Sequence, residues 1–179
     1  PEVRFTNGSR TINFTIPAGS TAASFGSAAS AAVITGTVAG TITITQAAVD
    51  SNGVALQAGA PITITVTPTV PVISALKITQ VSGGFNIVVT GFSTPRNMIS
   101  AAIHFTATSG NAINPADVTV QLTNAFNTWY SSQASLAVGS QFSLTIPFTT
   151  SGGSSFPIAA VSVTLTNSVG TSNPATANP

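Results

Sequence analysis

Apolar and polar side chains alternate most regularly over residues 61–80, where the pattern is interrupted once. Isoleucine or valine alternates with threonine from Ile62 to Thr67, just before Pro68, and the alternation resumes at Leu76 and Ile78. A period of two predicts strands with one buried face. The interruption holds Pro68 and Pro71, which lack the amide hydrogen that a strand inside a sheet donates.

This interruption predicts a joint between two domains. We expect an N-terminal domain over residues 1–68, a proline-containing linker over 69–72 and a C-terminal domain over 73–179. The chain is long enough for two small domains that each bury a core. Because proline fixes its own backbone torsion, the linker should bend little.

Further alternating segments predict that the N-terminal domain is all-β. In the segment over residues 10–17, the apolar side chains Ile12, Phe14 and Ile16 fall on one face. Asn7-Gly8, which precedes this segment, is a strong hairpin signal. The segments are residues 3–5, 10–17, 41–46 and 62–66, with a weakly patterned edge strand within 21–34. Five or six strands in this length predict a small β-sandwich.

The C-terminal domain is predicted to be a second β-sandwich. Its clearest alternating segments are residues 85–90, 101–106, 141–148 and 159–166. Shorter strands are expected around Val118 and Val120 and after Gly170, and a loop over 151–155.

One segment of the C-terminal domain breaks the strand pattern. Phe126, Trp129 and Tyr130 follow the i, i+3, i+4 spacing of a helix face, which predicts one short helix between residues 124 and 133. Such a helix can cap an open end of the sandwich and bury Phe126 and Trp129. Alternatively, the three aromatic residues form a sugar-stacking platform.

The composition narrows the range of partners. Charged residues make up only 4% of the 179 residues, and the net charge is +1. The chain has no basic stripe to neutralise phosphates and no Lys/Arg cluster for a membrane surface, so we expect neither nucleic acid nor membrane partners. Abundant serine and threonine supply the polar surface.

The chain contains no cysteine, which excludes disulfides and thiolate metal sites. It has no run of 18 apolar residues and its first residues do not form a signal peptide, so we expect no membrane insertion. The abrupt ends at Pro1 and Pro179 indicate a piece of a longer protein.

His104, the only histidine, is the first candidate for chemistry. The alternation places it on the solvent face of its strand, where Asp50 or Asp117 could complete a Ser–His–Asp arrangement. No Gly-x-Ser-x-Gly elbow accompanies it. We therefore predict a solvated histidine and no catalytic residues.

The three acidic residues are too few for a calcium site or a glycosidase carboxylate pair. Asp50 beside Asn52, and Asp117 near Asn114, are better explained by turn chemistry. Lys77 lies on the polar face of its strand, so we expect a solvated lysine and no cross-link. The sequence thus predicts neither a metal nor a cofactor.

Three segments resemble bacterial immunoglobulin-like domains of secreted or cell-surface proteins. They are residues 11–19 (TINFTIPAG), 35–43 (TGTVAGTIT) and 88–96 (VVTGFSTPR), and they come from both halves of the chain. The resemblance implies an all-β fold of two tandem Ig-like β-sandwiches, the second with one short helix. It implies spacer, adhesion or scaffold roles and supplies no catalytic residues. The cysteine pair of antibody domains is missing.

The sequence thus favours a non-catalytic structural or adhesion module of a larger exported bacterial surface protein, located outside the cell. Its partners would be the other domains of that protein. The alternative is a module that binds carbohydrate or a surface protein through loops and the segment around Phe126, Trp129 and Tyr130. Glycan binding would favour the alternative.

Overall fold

The computed structural model describes residues 3–150 and 157–179. These residues form two compact units, which divide between Val66 and Thr67. Strands account for 43% of the described residues and helices for 9%. The protein is therefore mostly β, with antiparallel sheets and two helices among these residues. The loop predicted over residues 151–155 lies outside the described residues.

In the first unit, residues 3–66 form four short strands in two separate two-stranded sheets. They are β1 (Arg4–Phe5) paired with β2 (Val33–Ile34), and β3 (Gly40–Ile44) paired with β4 (Ile62–Val66). Between β3 and β4, threonine faces threonine and isoleucine faces isoleucine. None of the residues 3–66 is buried.

This unit has fewer strands than the five or six that the sequence predicts. The predicted strand over residues 10–17 is reduced to one isolated bridge between Thr15 and Ser24. Asn7-Gly8 does form a tight turn, but β1 then pairs with β2 and not with the segment that follows the turn. Much of residues 18–32 is alanine, serine and glycine, which offer little apolar area to hold further strands in place.

In the second unit, the described residues form seven strands in two antiparallel sheets. One sheet has the order β5-β6-β9 and the other β11-β10-β7-β8. The strands are β5 (Val72–Val81), β6 (Gly84–Phe92), β7 (Ser100–Ala107), β8 (Asp117–Gln121), β9 (Gln141–Thr149), β10 (Ile158–Thr166) and β11 (Ala175–Ala177).

The inner faces of the two sheets share one hydrophobic core, which makes the unit sandwich-like. The alternating residues predicted to face inward do so: Phe85, Ile87 and Val89 on β6, Ile103 and Phe105 on β7, and Val161, Val163 and Leu165 on β10 are all buried. Outward residues of the same strands stay at least partly exposed. The strand predictions for this unit are therefore confirmed.

Two helices connect β8 to β9, where the sequence predicts one. They are α1 (Thr123–Ser131) and α2 (Gln133–Val138). The predicted helix corresponds to α1. The second was missed because its six residues, QASLAV, are too few to establish a 3.6-residue period.

Part of the segment predicted as a linker is tied to the second unit. The Thr69 amide donates to Thr94 Oγ1 at 2.7 Å, and Asn167 Nδ2 donates to the Thr69 carbonyl at 2.8 Å. Pro71 is fully buried, and Val72 already opens β5. These contacts anchor the start of the unit before its first strand begins.

Candidate functional site

The aromatic residues of α1 have different environments. Phe126 and Tyr130 are buried, with 3% and 9% of their surface exposed. Phe126 contacts the Phe142 ring edge-on, with the centroids 5.0 Å apart. Trp129 packs against the same core but is only half-buried. Of the three predicted ligand-binding residues, Trp129 alone therefore offers much of its ring to a ligand.

The junction between α1 and α2 is held by a partly buried polar network. Arg96 Nη2 donates to the Tyr130 carbonyl and to Ser135 Oγ, and its guanidinium lies 5.1 Å from the centre of the Tyr130 ring. Ser132 caps α2 by accepting a hydrogen bond from the Ser135 amide. These contacts fix the helix that carries Trp129.

Tyr130 anchors α1 to the loop before β9. Its hydroxyl donates to the Ser140 carbonyl at 2.7 Å. Burial raises the pKa of Tyr130 to about 12, because the phenolate would lose its hydration, and the nearby Arg96 charge offsets part of this effect. Tyr130 is thus a neutral structural donor at ordinary pH.

Trp129 forms one wall of an open cleft of about 480 Å³. The Trp129 indole N–H donates to the Gln141 carbonyl at 3.3 Å, which fixes the plane of the ring. Val138 of α2 also lines the cleft, and the sheet supplies the other residues. In the β6–β9 register, Phe92 lies opposite Gln141 and Thr90 opposite Ser143. Ser74 on β5 completes the lining on the far side.

Sequence reasoning found Trp129 but missed the other cleft residues. A signal was present at Phe92, which follows Thr90 on the outward face of β6, where the pattern calls for polar residues. A large ring on the polar face of a strand is a candidate for contact with a partner or a ligand. The pairing of β6 with β9, which brings Gln141 and Ser143 to the same place, could not be read from the sequence.

A second cluster lies on the outer face of the other sheet. In register, Ser162 on β10, His104 on β7 and Asp117 on β8 stand side by side. His104 Nδ1 donates to Asp117 Oδ1 at 2.7 Å, with the two side chains 55% and 80% exposed. The explanation of Asp117 by turn chemistry is therefore wrong. Asp117 is the first residue of β8, and its carboxylate accepts the hydrogen bond from His104.

This row does not have the geometry of a hydrolytic triad. Among the described residues, no hydrogen bond joins the Ser162 hydroxyl to His104. A triad also needs backbone N–H groups aimed at an oxyanion, whereas the amides within a sheet are committed to neighbouring strands. The contact between His104 and Asp117 is best described as a solvent-exposed cross-strand pair.

Asp50 occupies a turn, as its sequence context predicts. Its Oδ1 accepts hydrogen bonds from the amides of Asn52 and Val54, both at 2.8 Å. These backbone bonds, led by that from Val54, lower the pKa of the Asp50 carboxyl. Lys77 is exposed on β5, as expected for a solvated lysine.

Across residues 3–150 and 157–179, no three histidine, cysteine, aspartate or glutamate side chains come together as a metal site. In the same part of the chain, neither helix has the length and apolar character needed to cross a bilayer. Comparison with family models, with curated proteins and with solved structures found no match.

Proposed function

We propose that this chain is a non-catalytic structural module, a spacer or scaffold within a larger exported bacterial surface protein. The observation that carries the proposal is the strand order of the second unit. Its first, second and fifth strands form one sheet, and its seventh, sixth, third and fourth strands form the other. We infer an Ig-like domain from this order.

The order supports an Ig-like domain because the two sheets of that fold group strands in the same way. Strands A, B and E share one sheet, and strands C, F and G share the other. The fourth strand joins A, B and E in constant-type domains, whereas here it pairs with the third strand, on the side where variable-type domains add strands. The sandwich architecture recurs in cell-surface domains whose sequences are unrelated.

A structural role is also supported by where the polar groups lie. The pair formed by His104 and Asp117 is largely solvated on an open sheet face. The side chains that are buried and polar tie strands and loops together, as Asn167 does to Thr69 and to Ser93. Such contacts stabilise a fold.

Stretching single full-length chains between a surface and a force probe tests the spacer role. We expect one discrete unfolding event that releases at most ~370–410 Å. The gain in length is the extended length of residues 67–179, at about 3.3–3.6 Å per residue, minus the end-to-end distance of the folded unit. Ile87→Ala, which opens a cavity in the core, should lower the force of this event, while Ile99→Ala at an exposed position should not. Gradual extension without a discrete event would overturn the proposal.

The proposed location has a separate test. Antibodies raised against the purified chain should label intact cells of the producing organism, or detect the parent protein in its culture medium. A cytoplasmic protein marker probed in the same samples controls for lysis. Signal that appears only after the cells are permeabilised would contradict an extracellular role.

A further inference from the structure

The cleft beside Trp129 has the composition of a binding site for an uncharged ligand. Three aromatic residues, Trp129, Phe92 and Phe142, line it together with Val138 and with hydroxyl and amide groups, and no charged residue is in the lining. Its volume of about 480 Å³ falls within the range of small-ligand sites, roughly 300–1,000 Å³. A charged ligand would lose hydration here without gaining a counter-charge.

We infer that this cleft binds a neutral sugar unit of a glycan. A pyranose ring presents an apolar C–H face and a rim of hydroxyls, so it needs an aromatic wall beside uncharged hydrogen-bonding groups. Trp129 and Phe92 supply the wall. Within the described chain, the side-chain amide of Gln141 and the hydroxyl of Ser143 make no hydrogen bond, so both can bond to sugar hydroxyls.

The platform is organised before any ligand arrives. The bond from Trp129 Nε1 to the Gln141 carbonyl fixes the indole plane, and the buried Phe126 and Tyr130 hold the helix on either side of it. Arg96 locks the end of that helix. A rigid site loses little conformational entropy on binding, which favours even a small contact area.

The inference differs from the alternative drawn from sequence in which residues it uses. Phe126 and Tyr130 serve the fold, while Phe92, Gln141 and Ser143 join Trp129 at the ligand. It is also independent of the spacer role. Failure to bind sugars would leave the force and location tests unchanged, and failure of those tests would leave the cleft intact.

The test is a fluorescence titration, because Trp129 is the only tryptophan of the chain. The probes are neutral tetrasaccharides of glucose, galactose, mannose and xylose, each added separately to the full chain. We expect at least one to change the Trp129 emission in a saturable manner. Oligosaccharides of uronic acids should bind no more tightly than the neutral probe.

Variants locate the binding. Calorimetry should show that Trp129→Ala and Phe92→Ala each weaken binding about tenfold, the effect of losing one aromatic contact. Ser143→Leu at an exposed edge position should block the cleft while leaving the melting temperature within a few degrees of wild type. This variant keeps the test valid if Trp129→Ala destabilises the unit. Lys77→Ala, an exposed change outside the cleft lining, is the control and should bind normally.

Two results would overturn the inference. One is the absence of any saturable change with all four neutral probes. The other is binding that persists undiminished in both Phe92→Ala and Ser143→Leu, which would place the ligand elsewhere. A cleft that instead binds an apolar peptide, with neutral sugars failing to displace it, would assign the site to a protein partner and likewise contradict a sugar ligand.

Discussion

In the first unit, β3 and β4 face each other as Ile42–Ile64 and Thr43–Thr63 pairs, and the isoleucines are only half-buried. In the second unit, β7 and β10 face each other with Ile103 opposite Val163, and both are buried, 2% and 0% exposed. The two ladders follow the same alternating pattern. They differ in whether a second sheet covers the apolar face.

The contrast shows that alternation marks a strand but does not supply its cover. A two-stranded ladder on its own is marginally stable in water, because its apolar face stays in contact with water. The second unit adds large side chains from both sheets, including Phe85, Phe105 and Phe148 in mutual ring contact at centroid distances of 5.2–5.8 Å. These rings fill the space between the sheets.

The largest effect is expected from truncating a core residue of the second unit. Ile87→Ala removes a fully buried side chain and should lower the free energy of unfolding by about 2–5 kcal/mol. Urea unfolding followed by Trp129 fluorescence measures it. Ile99→Ala, at a position 43% exposed, should cost less than about 1 kcal/mol.

The same truncation in the first unit sharpens the comparison. Ile42→Ala, at a half-buried position, should cost less than about 1.5 kcal/mol, detected as faster hydrogen exchange at the β4 amides. A loss as large as that of Ile87→Ala would mean that the first unit has a core of its own.

Two glycines offer a second matched pair. A Cβ added at Gly91 would clash with the Val72 carbonyl oxygen, next to the irregularity between Ile73 and Ala75. Gly91→Ala must therefore displace backbone, and we expect a loss of about 1–3 kcal/mol. Thermal unfolding followed by circular dichroism measures the change.

The partner variant is Gly59→Ala in the first unit. Its added Cβ would meet only the tip of the Gln46 side chain, which can rotate away. The melting temperature should therefore shift by no more than a degree or two. Equal shifts in melting temperature for the two variants would show that the backbone around Gly91 yields as easily as the Gln46 side chain beside Gly59.

The sequence predicts the second unit well because local pattern and tertiary burial agree there. Period-two segments became β6, β7, β9 and β10, and the i, i+3, i+4 aromatic residues became α1. In the first unit, the alternating segment 10–17 finds no neighbouring segment with enough apolar area to pack against. The predicted strand is therefore reduced to one isolated bridge. The pattern alone cannot report a missing partner.

The candidate site was predictable only where one segment carries it. Trp129 stands out by composition and spacing, as the only tryptophan in a helical pattern. Phe92, Gln141 and Ser74 come from three strands that meet through pairing register, which a single sequence does not encode locally. For the same reason, the sequence could not decide between Asp50 and Asp117 as a partner of His104.

Alkaline pH should destabilise the second unit through Tyr130. Its pKa is raised by burial to about 12 in the folded protein, above the ordinary value of 10.0. The neutral phenol therefore favours folding at every pH below about 10, and this contribution is lost as pH rises from about 10 to 12. The loss amounts to about 2–3 kcal/mol.

Urea unfolding at several pH values between 9 and 12 measures this loss. Tyr130→Phe is the control, since it cannot ionise. The variant should be less stable near pH 8, because the Ser140 carbonyl loses its donor, and should show a shallower decline with pH. Parallel declines for both proteins would assign the alkaline instability to other groups.

The smallest expected effect lies in the first unit, at Asp50. Amide bonds from Val54 and Asn52 lower its pKa, so the folded turn favours the carboxylate. The turn is therefore supported above the ordinary pKa of aspartate, and this support is lost as pH falls through the lowered value. Carbon-detected NMR titration of the Asp50 carboxyl should give a midpoint below that of the same residue in urea. Equal midpoints would show that the turn is not held in solution, and would leave the first unit without one of its few fixed points.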